Sequence, residues 1–297
     1  MDPRTETKLV VVTRKTRLEE LVARHNTISQ ARFYIERLGA DFMDYIHEHE
    51  VYHSAIQEAR TVLERLGRVQ LVERSFLPNF IFGPKDVVIA IGQDGLVANT
   101  MKYLEGQPLL GVNPEPTRWD GVLLPWRVGD LARRLPSLLT GRFKTQEVTM
   151  AKASLSGGQV LYGVNDIFIG PKSHTSARYT IRVGAKEERQ SSSGIIVSTG
   201  LGSTGWLQSL RAGTRHTPMP WDARYLHFAV REPFASKTSS ASLVCGTIDE
   251  QHHLTLESAM PDNGVIFSDG IESDYLEFNA GMTVSLSIAE KSGYLVI

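Results

Sequence analysis

Hydrophobic positions change their spacing part-way along this chain. Lys8 to Val12 is a short aliphatic run that predicts a strand, and Leu18, Leu21 and Val22 begin a helical spacing behind it. A second helical stretch carries Ile56, Ala59, Leu63 and Leu66 on one stripe. Val69 to Glu73, Val87 to Ile91 and Leu109 to Val112 read as further short strands, with a helix predicted over Leu96 to Leu104. Strands alternating with helices imply a parallel sheet.

Beyond the breakers Pro136 and Gly141 the period becomes two. Tyr179, Ile181 and Val183 alternate with Arg178, Thr180 and Arg182, and Met282, Val284, Leu286 and Ile288 alternate with Thr283, Ser285 and Ser287. That half is expected to be mostly antiparallel β. The change of pattern falls near Leu139 to Thr145, giving an expected α/β domain over 1–141 and a β-rich domain over 142–297. No internal repeat or low-complexity segment is visible.

Composition narrows the class of protein. With 297 residues and 41% hydrophobic content the chain can bury a sizeable core. Its 32 basic and 33 acidic residues leave a formal charge of −1, so no global positive field would gather nucleic acid or an anionic membrane. The longest apolar runs fall well short of the ~20 residues that span a bilayer. Asp2 and Glu6 interrupt what would be the start of a secretory signal, and cytoplasm is the expected location. The one cysteine, Cys245, follows Leu243 and Val244 and is expected to be a buried thiol in a reducing compartment.

Candidate chemistry begins at Gly92-Gln93-Asp94-Gly95, directly after the apolar run Val87 to Ile91 and before a predicted helix. Glycines in such a turn let backbone approach a phosphate, helix-start amides favour its charge, and Asp94 is placed to take a proton. The bland alternative is a Gly-Asp-Gly turn of the sort any open α/β sheet contains. Asn165-Asp166 sits in the strand-like run Val164 to Ile169; these side chains can bond sugar hydroxyls, or simply make a turn or cap.

Another apolar run, Gly194 to Ser198, leads into Thr199-Gly200-Leu201-Gly202-Ser203-Thr204-Gly205-Trp206 and a helix-like Leu207 to Ala212. Glycines expose N–H groups there while Ser203 and Thr204 add short donors, which suits phosphate or ribose recognition. Gly200, Gly202 and Gly205 also spell G-x-G-x-x-G, but the segment opens no βαβ unit, so the dinucleotide-fold reading is weak. His49-Glu50-Val51-Tyr52-His53 satisfies H-E-x-x-H, a zinc-hydrolase pattern. Its densely polar setting, Asp44 to His53, reads instead as a solvated helix face or connection. Ser268-Asp269-Gly270 follows Val265 to Phe267 and is most simply a hairpin turn.

In this order, Gly92-Gln93-Asp94-Gly95, Asn165-Asp166, Ser198 to Trp206 and Ser268-Asp269-Gly270 resemble the successive motifs of the NAD kinase family, across about two-thirds of the chain. Lys15-Thr16-Arg17, Gly111 to Pro116 and Ser191 to Gly194 are similar to the mitochondrial type, a likeness that does not imply that organelle. The resemblance implies an N-terminal α/β domain with a parallel sheet, a C-terminal β-sandwich-like domain and an active site in the cleft between them.

It further implies that Asp94 is the base acting on the adenosine-ribose 2′-hydroxyl of NAD, with ATP as donor and Mg2+ as cofactor. Asn165, Asp166, Ser193, Thr199, Ser203 and Thr204 would then bind NAD, and Gly92, Gln93, Gly95, Asn113 and Asp269 would border the ATP phosphates. No side chain is assigned to the metal. The implied partners are small nucleotides and further copies of the chain, as a homodimer or homotetramer. Two positions depart from the common pattern: Gln93 stands where a second glycine is usual, and Ser193 where many bacterial members carry aspartate. A sugar or lipid kinase of the same superfamily, or a non-catalytic nucleotide-binding homologue in which Gln93 blocks the donor, remain alternatives.

Overall fold

The computed structural model describes residues 7–210, 217–236 and 241–297. Asp2, Glu6 and Ala212, each used in the sequence reading, lie outside the described residues. Two compact units emerge: Met1–Thr145 with Tyr294–Ile297, and Gln146–Gly293.

The first unit runs β1 (Lys8–Thr13), α1 (Arg17–His25), α2 (Ile28–Arg37), α3 (Phe42–Leu63), β2 (Arg68–Glu73), β3 (Val87–Ile91), α4 (Asp94–Met101), β4 (Pro108–Asn113), β5 (Trp126–Arg127) and α5 (Leu131–Leu139). Its strands lie in the order β2-β1-β3-β4-β5, every neighbouring pair parallel. Tyr294 and Leu295 add a parallel pairing to Pro108 and Leu109, so the chain's last residues complete the sheet that its first strand began. Every residue of β3 is buried, as expected of a parallel strand covered on both faces. Leu9, Val11, Ile89 and Ile91 pack with Tyr52 and Leu63 of α3 and Leu131 and Leu135 of α5.

Three local features depart from the sequence reading. The hydrophobic pattern does not announce helix α2, because Phe33 within it and Leu38 at its end face solvent and blur the stripe that Ala31 and Ile35 bury. Pro136 lies inside α5 and does not break it; the stop comes at Gly141, whose φ of +75° suits glycine. The polar stretch Asp44 to His53 belongs to α3 and is not a solvated face throughout. Glu48 and Tyr52 within it are each only 2% exposed.

The second unit comprises β6 (Thr145–Leu155), β7 (Val160–Gly163), β8 (Asp166–Pro171), β9 (Ala177–Val183), β10 (Lys186–Ser192), β11 (Ile195–Ser198), α6 (Trp206–Leu210), β12 (Leu226–Val230), β13 (Cys245–Ile248), β14 (Leu254–Ser258), β15 (Gly264–Ser268), β16 (Tyr275–Glu277) and β17 (Thr283–Val296). One sheet has the order β13-β12-β11-β8-β15-β16, antiparallel throughout. The run β10-β9-β14-β17 is also antiparallel. Ile167, Ile195, Val197 and Phe228 from the first share one core with Ile181, Leu254, Leu256 and Val284 from the second, which makes a sandwich. Cys245 is exposed, contrary to expectation, because β13 is an edge strand with solvent on the side of that residue.

Candidate active site

In the first unit the Gly92-Gln93 turn joins the end of β3 to the start of α4, at the carboxyl edge of the parallel sheet where open α/β folds take ligands. Gly92 donates its N–H to Val112 O at 3.1 Å, which ties the turn to the end of β4 beside Asn113. A Cβ on Gly92 would meet the Leu96 side chain at 2.9 Å, whereas one on Gly95 would meet nothing within 4 Å. Gln93 is extended, φ −114°, and makes no side-chain cap bond, so the backbone itself does not demand glycine at that position.

Asp94 is the first residue of α4 and is half-buried. Its carboxylate accepts N–H bonds from Leu123 at 2.8 Å and Val122 at 3.2 Å. A carboxylate offers about four lone-pair sites, so these two bonds leave capacity for a proton. Asn113 is more committed: its Oδ1 accepts from Glu115 N–H at 3.0 Å and its Nδ2 donates to Trp119 O at 2.9 Å. That side chain shapes the 113–119 loop.

In the second unit, four of the sequence-predicted residues, Asn165, Asp166, Thr199 and Asp269, form one knot. Asp269 takes a left-handed φ of +56° and accepts the Val164 and Asn165 N–H groups, Oδ1 to Asn165 N at 2.6 Å. Gly270 follows at φ +69°, and Ile271 N–H reaches Ser268 O at 3.0 Å, a turn that opens the six-residue connection of the β15–β16 hairpin. Thr199 donates its hydroxyl to Val164 O at 2.6 Å and its N–H to Asn165 O at 3.0 Å. Ser203 donates to Gly200 O and accepts from Met219 N–H, so its hydroxyl braces the loop. Thr204 is exposed at the end of that turn.

Asp166 begins β8 opposite Ser198 and is buried. Burial, helped by the neighbouring Asp269 carboxylate, pushes its carboxyl up to about 7. An unfolded aspartic acid titrates near 4, so this group's contribution to stability is present below that pH and is lost as pH rises through about 7. Asp166→Asn, which cannot ionise, is therefore expected to raise the melting temperature relative to the parent at pH 8 and to change it little at pH 4. Equal differences at both pH values would show that Asp166 titrates normally.

Ser193 stands apart from the knot. It lies before Gly194 at the far end of β11 from Ser198, five residues along an extended chain or about 16 Å away. Its hydroxyl donates to the carboxylate of Glu232, so a carboxylate is present at that place although residue 193 is not acidic.

No family model matches the chain. Over 130 residues it is 29% identical to an NAD kinase of Thermoplasma acidophilum, a match covering 42% of this chain and 45% of that relative, so the chain spans less than half of it. Similarity of structure extends much further. The crystal structure of an NAD kinase from Archaeoglobus fulgidus in complex with ATP superposes with a TM-score of 0.59 at 16% identity, over 98% of this chain and 93% of that one. The yeast NADH kinase complexed with NADH gives a TM-score of 0.59 at 14% identity, over 98% and 83%. The chain has the NAD kinase fold.

Around the Gly92 turn of this NAD kinase fold stand residues that the sequence reading passed over. Tyr52 donates its hydroxyl to Ile91 O at 2.8 Å and accepts Arg14 N–H at 2.9 Å, fixing the residue before Gly92. Burial pushes that hydroxyl up to about 12, so it stays protonated. Arg14 follows β1 and pairs through Nη2 with Glu48 at 2.8 Å. Its buried Nε has no partner among the described residues and lies 3.7 Å from where a Gly92 Cβ would be. Burial opposes ionisation of Glu48, but hydrogen bonds from Arg17 and Arg14 outweigh it and hold the carboxyl below its usual range. A basic residue directly after the first parallel strand was the available signal for Arg14.

Proposed function

We propose that this chain is an NAD kinase, moving the terminal phosphoryl group of ATP to the adenosine-ribose 2′-hydroxyl of NAD(H) to give NADP(H). The observation that carries this reading is the Gly92-Gln93-Asp94-Gly95 turn, at the carboxyl end of β3 within a fold shared with NAD kinases over nearly the whole chain. The Thermoplasma relative supports it at the level of sequence.

In this reading Asp94 takes the ribose proton, and Gly92, Gln93, Gly95 and Asn113 border the donor phosphates, with Arg14 Nε adding a buried cationic donor. Asn165, Asp166, Thr199, Ser203 and Thr204 form the dinucleotide side, with Thr199 and Ser203 holding loop shape more than touching ligand. Asp269 acts by presenting the Val164–Asn165 backbone. Ser193, with Glu232, belongs to the NAD side only if another copy brings it there, which fits a homodimer or homotetramer.

Mg2+ binds through one or two carboxylates together with nucleotide phosphates. The first-unit turn offers the single carboxylate Asp94 and no all-protein cage, which fits an ion that arrives with the nucleotide and neutralises phosphate charge. A cytoplasmic location is part of the same proposal; no helix among the described residues is long and apolar enough to cross a membrane.

The test is NADP(H) formation by the purified chain with ATP, Mg2+ and NAD or NADH. Bound NAD without product would favour a non-catalytic homologue, and ATP consumption on a sugar or lipid hydroxyl would favour the other kinase class. Gln93→Gly separates these further. The extended Gln93 backbone requires no glycine, so the variant is expected to keep NADP formation at or slightly above the parent rate. Turnover that appears only in Gln93→Gly would identify Gln93 as a block.

A further inference from the structure

We infer that Glu19, His49 and His53 form a binding site for a zinc-like divalent ion that clamps α1 to α3. The potential ligand atoms of the three side chains all lie within 4.8 Å of one another. His49 and His53 are four residues apart on one face of α3, with ring centroids 4.3 Å apart. Glu19 comes from the first turn of α1. Two imidazoles and one carboxylate, with a fourth position left to water, are a ligand set that zinc accepts in tetrahedral geometry.

The surrounding contacts orient these ligands before any ion arrives. Glu19 Oε2 is held by the Thr16 N–H at 2.7 Å and the Thr16 hydroxyl at 3.2 Å, which leaves Oε1 turned to His53 Nε2 at 3.1 Å. His49 Nδ1 is 2.9 Å from the Thr16 hydroxyl oxygen. Such outer contacts fix ring and carboxylate orientation in metal sites. Glu19 and His49 are half-buried and His53 is exposed, so solvent has access to the cluster.

The arrangement does not extend to hydrolysis. Glu50, which an H-E-x-x-H hydrolase would use as its base, is exposed and lines a groove of about 600 Å3 with His47, Val51 and Asn113. That is a different face of α3 from the one carrying His49 and His53. A clamp is what the geometry supplies: it joins the α1 N-terminus to α3 next to Tyr52, whose hydroxyl holds Ile91 O ahead of the Gly92 turn.

The site is independent of the kinase reading and can be tested without nucleotide. The full chain, stripped with chelator, is titrated calorimetrically with ZnCl2 and, in parallel, with CoCl2 followed by visible absorption. One ion per chain is expected, with the intense Co2+ bands of a tetrahedral site and a rise in melting temperature. His49→Gln/His53→Gln is expected to lose the ion, the bands and the thermal shift, and Glu19→Gln to weaken binding by at least about tenfold. Glutamine is a good helix former, so α3 should be retained, as far-ultraviolet circular dichroism will show. His252→Gln/His253→Gln, a histidine pair outside the three proposed ligands, should leave binding unchanged. Zinc binding that survives in His49→Gln/His53→Gln, or absence of a one-to-one site in the parent, overturns the inference.

Discussion

Asp94→Asn is expected to lower NADP formation by about 10²- to 10⁴-fold, the usual worth of a positioned general base, while NAD still binds. The structure gives Asp94 a second job that the experiment must separate from the first. Its carboxylate accepts the Leu123 and Val122 N–H groups, and this loop packs close to β4: a Cβ on Gly111 would meet Leu123 O at 1.8 Å. An asparagine oxygen can still accept from Leu123. The Val122 N–H is lost as a donor to residue 94, but it is solvent-exposed and can turn to water, a change worth about 1 kcal/mol. A small shift in melting temperature with a large loss of kcat therefore points to Asp94 as base. A collapse of NAD or ATP binding matching the loss of turnover would show that the residue acts by holding the 121–124 loop.

Where the relevant physics was local, the sequence exposed it. Five consecutive aliphatic residues, Val87 to Ile91, followed by glycine and an acidic residue, announce a buried strand entering a helix, and that is the arrangement found. Alternation at Tyr179 and Ile181, or at Val284 and Leu286, announces one buried face of a sandwich. The motifs of the second unit were legible in the same way, although not what most of their hydroxyls do. Thr199 and Ser203 suggested donors to a ligand, yet both hydroxyls are spent on carbonyl groups of their own unit.

What stayed hidden depends on partners distant in sequence. Glu48 looked like one more acid on a wet helix until folding placed it against Arg14 and Arg17, 34 and 31 residues away. No local period reports a charge whose burial is made tolerable by two guanidinium groups. Tyr52 reaches Ile91 O across 39 residues, and Asp269 reaches Asn165 N across 104. The last four residues belong to the first unit for a similar reason: they complete β4's pairing, which a boundary drawn along the chain cannot represent.

Gly202→Ala is expected to be strongly disruptive in the dinucleotide side. A Cβ there would stand 2.0 Å from Asn165 O and 2.6 Å from Asn165 C, backbone atoms that cannot rotate away as a side chain would. Either the Thr199–Gly205 loop or the Val164–Asn165 segment must move. That movement strains the Thr199 bonds to Val164 O and Asn165 O and, behind them, the Asp269 bonds to the same two residues. Overpacking costs about 1–3 kcal/mol, and each buried bond left unmade adds about 1–3 kcal/mol. The expected outcome is a melting temperature lowered by several degrees and NAD binding weakened at least about tenfold, since 1.4 kcal/mol already corresponds to that factor. Gly95→Ala is the matched control. Its new methyl meets open space at the start of α4, where alanine favours helix by about 1 kcal/mol, so stability should hold or rise. If Gly202→Ala binds NAD as tightly as the parent, the loop is not part of the dinucleotide site, whatever its effect on stability. If Gly95→Ala keeps its stability but loses ATP turnover, the open space above that glycine is the room a phosphate needs.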